Sequence, residues 1–422
     1  MPLTKQQLIL ASGIILVVAL GGFLLYQGLK PDAAKNISLT VWGVDDDKNI
    51  WDSLTKQYVQ ETGNKIVYVR KNASTYEREL IDALASGLGP DIFYFHNTWF
   101  LKHYQKIVAA PKTIATSKTI EENYPAAVSR DFVSSGQVIG LPLYLDSLAL
   151  LYNPALLDQA AIPFPPKTWE ELTTMMPKLT KFDSRKNILY SGAALGTSNN
   201  IEHAADLVML LMMQAGSPMV NARSLKADLG ANPAAALKFY TQFANSQTAA
   251  YTWTNTMANS LDEFALGKVA FVFAYAKDIS YIKSIAPYLN FKIALMPQPE
   301  KATLRKDFAN YWGLAVSRQS SHATEVWNLI AKVTNDQQAQ WYSQKTNLSP
   351  AKKSIIPMFR NDLVLDVYTR QAYTAANWPQ PDNQNIQTLF AEVIDNLVRN
   401  RTTPQNAAEY LESQINRMFD AI

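Results

Sequence analysis

The stretch Gly140–Leu157, GLPLYLDSLALLYNPALL, decides how this chain is read. It is largely apolar and strand-forming, and between Phe132 and Asp158 the only charged side chain is Asp146. A lone carboxylate in such a run is expensive to bury unless donors meet it. Asp146 therefore either has a partner within the protein or stands at the mouth of a cleft, awaiting a ligand with donors. Directly downstream, PFPPKTWEEL (163–172) is a rigid proline turn feeding a helix, and its Thr168 and Glu171 have capping-box spacing. Strand, lone acid, strand, proline turn and helix follow one another without a break.

Toward the N-terminus the rhythm is β-α-β-α-β. SLTVW (38–42) reads as a strand, and residues 50–61 as a helix with Ile50, Leu54 and Tyr58 on one face and Gly63 closing it. KIVYV (65–69) is a strand again, Ser74 and Glu77 have capping-box spacing for a helix running to Gly87, and PDIFYF (90–95) is a strand buried on both faces. This alternation predicts a parallel, doubly wound sheet. Toward the C-terminus, residues 200–243 are helix-rich, and the methionines of LVMLLMMQAG read as core filler. Ser260 and Glu263 cap a short helix, KVAFVFAY (268–275) and FKIALMP (291–297) are strands, and a last helix from Pro404 sets Ala407, Leu411, Ile415 and Met418 on one face. A helix-dominated middle followed by returning strands predicts two lobes with more than one crossing between them.

A chain of 422 residues exceeds one ordinary core. Its net charge of +3 without a basic block argues against nucleic acid as a partner. There is no cysteine, which excludes disulfides, thiolate metal sites, a cysteine nucleophile and lipidation through a thiol. Leu8–Tyr26 is uncharged and almost wholly apolar, flanked by Lys5 and Lys30. As a helix it would span roughly 28 Å, about a bilayer core. A secretory signal is usually shorter and carries a small-x-small cleavage site, whereas Ala33-Ala34 lies beyond Lys30, Pro31 and Asp32. The expectation is an uncleaved signal-anchor over residues 1–30 with its linker, a single pass through the cell membrane, and the folded body outside the cytoplasm.

Enzymatic motifs are mostly absent: no G-x-S-x-G elbow, P-loop or H-E-x-x-H occurs. Asp45-Asp46-Asp47 opens like a calcium loop but lacks the glycine and glutamate that should follow, so neither metal nor cofactor is expected. What remains is aromatic and polar residues at strand ends, where doubly wound sheets bind ligands: Trp42, Tyr94, His96 and Asn97, Tyr144 and Asp146, Tyr275 and Lys277, Trp312, and Trp378 in a loop. Flat rings beside fixed hydrogen-bonding groups suit a polyhydroxylated ligand.

Taken in order, SLTVWG (38–43), LASGLGPDIFYF (84–95), GLPLYLDSLALLYNPALL (140–157), PPKTWEEL (165–172), FALGKVAFVFAY (264–275), YWGLAVS (311–317) and TTPQNAAEYLESQI (402–415) resemble the extracellular solute-binding proteins of ABC importers, in the branch that includes carbohydrate-binding members. The resemblance implies an α/β, two-lobed periplasmic-binding-protein-like fold of type II, with a ligand cleft between lobes, preceded here by one N-terminal transmembrane helix. The lobes would be 36–145 plus about 286–335, and about 146–285 plus 336–422, with crossings at 144–146, 284–289 and 334–338. The loop after Trp42 including Asp45, the Tyr94–Asn97 strand end, Asp146, Tyr275, Lys277, Trp312 and Trp378 would line the cleft. The implied function is delivery of a sugar-like solute to ABC permease subunits by a monomer, through hinge closure and without catalysis. Asn97 stands where some relatives have an acid and Lys277 where maltose binders present an aromatic, so maltose itself is not expected. Two other readings of the same residues are a surface glycan hydrolase using Asp146 and a sensor or adhesin using the same cleft.

Overall fold

A computed structural model describes residues 37–44, 46–221 and 223–422. The expected anchor, its linker and Asp45 lie outside the described residues, and among those described no helix is long and apolar enough to cross a membrane. Two sheets organise the chain. The first orders its strands Lys65–Arg70, Ser38–Gly43, Ile92–His96, Trp312–Ser317 and Ile107–Val108, with Leu141–Pro142 also pairing to Trp312–Ser317. Its first three strands are parallel, as the β-α-β-α-β rhythm predicts, while Trp312–Ser317 enters antiparallel to Ile92–His96. The second sheet runs Lys292–Ala294, Ala149–Tyr152, Val269–Ala274, Ile188–Ala193 and Lys181–Phe182.

The helices form where apolar spacing predicts them. Lys48–Thr62 buries Trp51, Leu54, Thr55 and Tyr58 along one stripe, and Gly63, at φ +74°, ends it by donating its N–H to Val59 O. Ala204–Gln214 is buried all round from Ala204 to Met213 and packs against Pro233–Thr241 and Asn383–Val398, so its methionines are core. Thr168 caps Trp169–Leu179 by accepting from Glu171 N. Two other caps shift. The Ser74 hydroxyl turns back to Asn72, and the helix begins at Tyr76 after Thr75. Asn259, not Ser260, caps Ser260–Ala265.

Three segments run side by side between the sheets. Tyr144 bridges Pro350, Ser147 bridges Ala309, Leu145 N donates to Ser349 O, and Leu148 N to Phe308 O. Two expected boundaries move. Lys292–Ala294 pairs with Ala149–Tyr152, so the chain stays with the second sheet past 286 and returns to the first only at Trp312. Beyond 335 it remains with the first lobe: Asp336–Thr346 packs on Lys48–Thr62, and Lys353 N donates to Asn123 O. It has reached the second lobe by Leu365–Gln371, where Tyr368 Oη meets Ala274 O and Gln371 Nε2 meets Leu148 O.

Candidate functional site

The strand ends meet around Asn310, a residue that the sequence reading did not single out. Trp312 sits opposite His96 in the register of the first sheet, which places Asn310 just beyond the end of Ile92–His96. There Asn310 Oδ1 lies 3.0 Å from His96 Nε2, and Asn310 N donates to Asp146 O at 3.0 Å. With that carboxamide oxygen as acceptor, His96 carries its proton on Nε2, and Nδ1 takes the Thr98 hydroxyl at 2.7 Å. The Asn310 side chain also faces the Tyr275 hydroxyl and partly offsets the rise in its pKa. That hydroxyl donates to Asp206 Oδ2 at 2.6 Å, and Gln387 Nε2 donates to Asp206 Oδ1 at 2.5 Å. One polar chain, His96–Asn310–Tyr275–Asp206–Gln387, thus runs from the end of the first sheet to the core helices of the second lobe. Burial, and then the Asp206 charge, push the Tyr275 phenol well above its ordinary range, so it stays a donor.

Rings flank this chain on both sides. Trp312, half-buried, is met edge-on by His96 at 4.7 Å, Trp99 at 5.2 Å and Tyr76 at 5.6 Å between centroids. Tyr76 also ties the first strand to this group by donating to Trp42 O. Trp42 is half-buried, with Lys71 Nζ 3.8 Å from its ring centroid. In the second lobe His203 sits edge-on to Tyr275 at 4.6 Å and pairs with Asp278 Oδ2 at 2.7 Å. Burial favours the neutral ring, but the Asp278 and Asp206 charges outweigh it and raise the His203 pKa. Lys277 is exposed, its ammonium 5.5 Å from the Tyr275 ring centroid.

Five expected site residues prove structural. Asp146 is fully buried, and its carboxylate accepts Ser147 N at 2.8 Å, Ala276 N at 3.0 Å and Lys277 N at 3.1 Å. Its partner is the turn that opens helix Asp278–Ile285, not a ligand. Tyr94 is buried between Trp51 Nε1 and the Asp46 carboxylate. Asn97 is buried, donates to Asp131 Oδ2 and accepts from Tyr311 N. Tyr144 stacks on Tyr342 with centroids 6.1 Å apart, and Trp378 is buried with Nε1 3.2 Å from Met209 Sδ. His96 and Tyr275, themselves buried, are brought together with the half-buried Trp312, Trp42 adjoins them, and Lys277 is exposed.

The reading missed Asn310, Asp206, His203 with Asp278, and Asp46. Asp206 carried the same signal as Asp146, a single acid in the apolar run AADLVMLLMM. A cavity of about 840 Å³ opens elsewhere, beneath the proline turn and between Ile293–Met296 and Val367. Its lining is mostly apolar and includes none of these site residues.

The family model of bacterial extracellular solute-binding proteins matches residues 53–363. A probable ABC transporter-binding protein of Deinococcus radiodurans is 22% identical over 380 residues, 86% of this chain and 88% of that protein. Among solved structures, the sugar-binding protein MalE of Xanthomonas citri superposes with a TM-score of 0.77 at 18% identity, covering 91% of this chain and 98% of the other. An ABC transporter solute-binding protein of Thermotoga lettingae bound to α-D-tagatose gives 0.75 at 20% identity, covering 91% and 100%. At such identities the structural likeness speaks for the fold, a two-lobed α/β architecture of the periplasmic-binding-protein kind, while the family match spans roughly three quarters of the sequence. The chain belongs to the bacterial extracellular solute-binding proteins, the non-enzymatic receptors of ABC transporters.

Proposed function

We propose that this receptor binds a carbohydrate-type solute in the cleft between its lobes, closes around it, and presents it as a monomer to ABC importer permease subunits while tethered by its N-terminal segment. The observation that carries this reading is the polar chain from His96 through Asn310 and Tyr275 to Asp206, with the half-buried Trp312 beside it. A ligand rich in hydroxyls exchanges hydrogen bonds with such groups while a sugar C–H face stacks on the indole. Structurally similar proteins that bind sugars support the same class, and a glycerophosphocholine complex of UgpB from Mycobacterium tuberculosis adds a phosphorylated polyol to it. Solute contacts made with both lobes would stabilise the closed state over the open one. The hydrolase reading loses its acid, because Asp146 is consumed by three backbone amides.

The test is a thermal-shift screen of the full chain in detergent against mono- and oligosaccharides, polyols, glycerophosphodiesters and peptides. A ligand at a hundred times its Kd stabilises by about 2.7 kcal/mol, which such a screen detects readily. A response to peptides alone would overturn the carbohydrate class. With the responding solute, Trp312→Ala should weaken binding about tenfold, or about 1.4 kcal/mol, by removing the stacking face. Equal affinity for variant and wild type in calorimetry would place Trp312 outside the site. Leu8–Tyr26 should keep the protein with membranes through a high-salt wash. Recovery from intact cells of a soluble form beginning near Lys35 would show that the tether is cleaved.

A further inference from the structure

Away from the His96–Asn310–Tyr275 chain, the two lobes also meet through one ammonium group. Lys102 lies in the short helix Phe100–His103 that follows the third strand of the first lobe. Its Nζ is 2.8 Å from Oε1 of Glu77, in the first turn of the first-lobe helix Tyr76–Ala85. The same Nζ is 2.5 Å from Oδ2 of Asp382, the cap of the second-lobe helix Asn383–Val398. Glu77 Oε1 also takes His103 Nε2 at 2.7 Å. Burial disfavours charge on both Lys102 and Glu77. Their partners outweigh it, raising the lysine pKa and lowering that of the glutamate, so both are ionised.

We infer that Lys102 and Asp382 form a latch between the lobes: they determine how tightly solute is held without touching it, by favouring the closed arrangement. This inference rests on the closure reading above. Two features make the contact reversible. First, Lys102 keeps Glu77 when Asp382 departs, so opening does not strand an unpaired ammonium in a partly buried position. Second, Asp382 divides its work, with Oδ1 accepting Asn385 N to cap its helix and Oδ2 alone meeting Lys102. The helix therefore stays capped whether or not the lobes are joined. The three side chains are 34%, 19% and 18% exposed, shielded enough for the pair to matter and open enough for salt to weaken it.

The design of Asp382 supplies a clean variant. Asp382→Asn keeps a good capping side chain and removes only the charge. Lys102→Met removes the ammonium while keeping the stem, and Lys102→Arg restores a cation. The chain has no cysteine, so Lys118→Cys on the first lobe and Glu412→Cys on the second give a single pair of spin labels in the full-length protein. Distance distributions are then measured without solute at 50 mM and 500 mM KCl.

The label pair is expected to show short and long populations. Asp382→Asn, Lys102→Met and high salt should each shift at least half of the short population to the long one, and Lys102→Arg should not. Thermal midpoints of the variants should stay within a few degrees of wild type, which a merely structural role would not predict. Two populations that no variant or salt displaces would overturn the latch and leave closure standing. A single distance under every condition would overturn closure and the latch with it.

Discussion

Asp46→Ala should cost the folded protein about 4 kcal/mol, a large loss for a single polar side chain. Asp46 is 3% exposed and joins three separate parts of the chain. Its Oδ1 accepts the Tyr342 hydroxyl at 2.7 Å, its Oδ2 accepts the Tyr94 hydroxyl, and its carbonyl accepts the Tyr68 hydroxyl at 2.8 Å. Tyr94 in turn receives Trp51 Nε1 at 3.1 Å, and Tyr342 stacks on Tyr144 at the segment between the lobes. Burial, with the Asp46 charge second, pushes the Tyr94 phenol well above its ordinary range, so it remains a donor. Hydrogen bonds to a charged group contribute about 1.5–3 kcal/mol each, and a buried donor deprived of its acceptor adds its own desolvation penalty. Asp46→Asn, which keeps one acceptor oxygen, should lose about half as much. Tyr342→Phe should cost about 1–2 kcal/mol. Because the two residues share one bond, the double variant should lose less than the sum of the singles. Urea midpoints of the four proteins decide this. Strict additivity would show that the carboxylate and the Tyr342 hydroxyl do not act together.

Asp46 also marks where the sequence stops being informative. The run Asp45-Asp46-Asp47 offers three chemically identical side chains at a strand end. Nothing in their chemistry says that Asp46 is buried while Asp47 is exposed; that follows from the fold, where Gly43 lies against Tyr68 and Tyr94. The helices and strands were legible because each depends on its own residues: the apolar stripe of Lys48–Thr62, the buried run of Ile92–His96, the Thr168 cap. Sheet membership was less so. FKIALMP reads as a strand in either sheet, and only its pairing with Ala149–Tyr152 assigns it to the second lobe, which is why the boundary expected near 286 moved to about 312. The site was legible as a set of strand ends, and His96, Tyr275 and Trp312 follow from that rule. Asn310 does not, since its role comes from lying between His96 and Tyr275, two residues far from it in sequence. Tyr94, Asn97, Tyr144 and Trp378 fit the same pattern equally well, yet each has its polar or aromatic surface taken up by neighbours within the fold.

Asp146, the residue that organises the reading of the whole chain, should likewise prove a matter of stability and not of solute contact. At pH 5 Asp146→Ala should lower the unfolding free energy by about 3 kcal/mol, because Ser147, Ala276 and Lys277 N–H groups all lose their carboxyl acceptor. Solute affinity of the folded fraction should fall less than tenfold, since the side chain faces the 275–278 turn. Its ionisation gives a sharper test. Burial pushes its pKa up to about 7, against the pull of the three amide donors, whereas the unfolded chain has a value of about 3.9. Between those values the folded protein holds a proton that the unfolded chain has shed, so the contribution of this group is largest in acid and is lost as pH rises through 7. Asp146→Asn cannot titrate. Relative to wild type it should therefore gain stability on going from pH 5 to pH 8, by an amount on the order of 3 kcal/mol. Urea unfolding of both proteins at four pH values across that window measures the difference directly. A difference that stays flat would mean that the amides outweigh burial, leaving the carboxylate ionised throughout as the anionic cap of helix Asp278–Ile285.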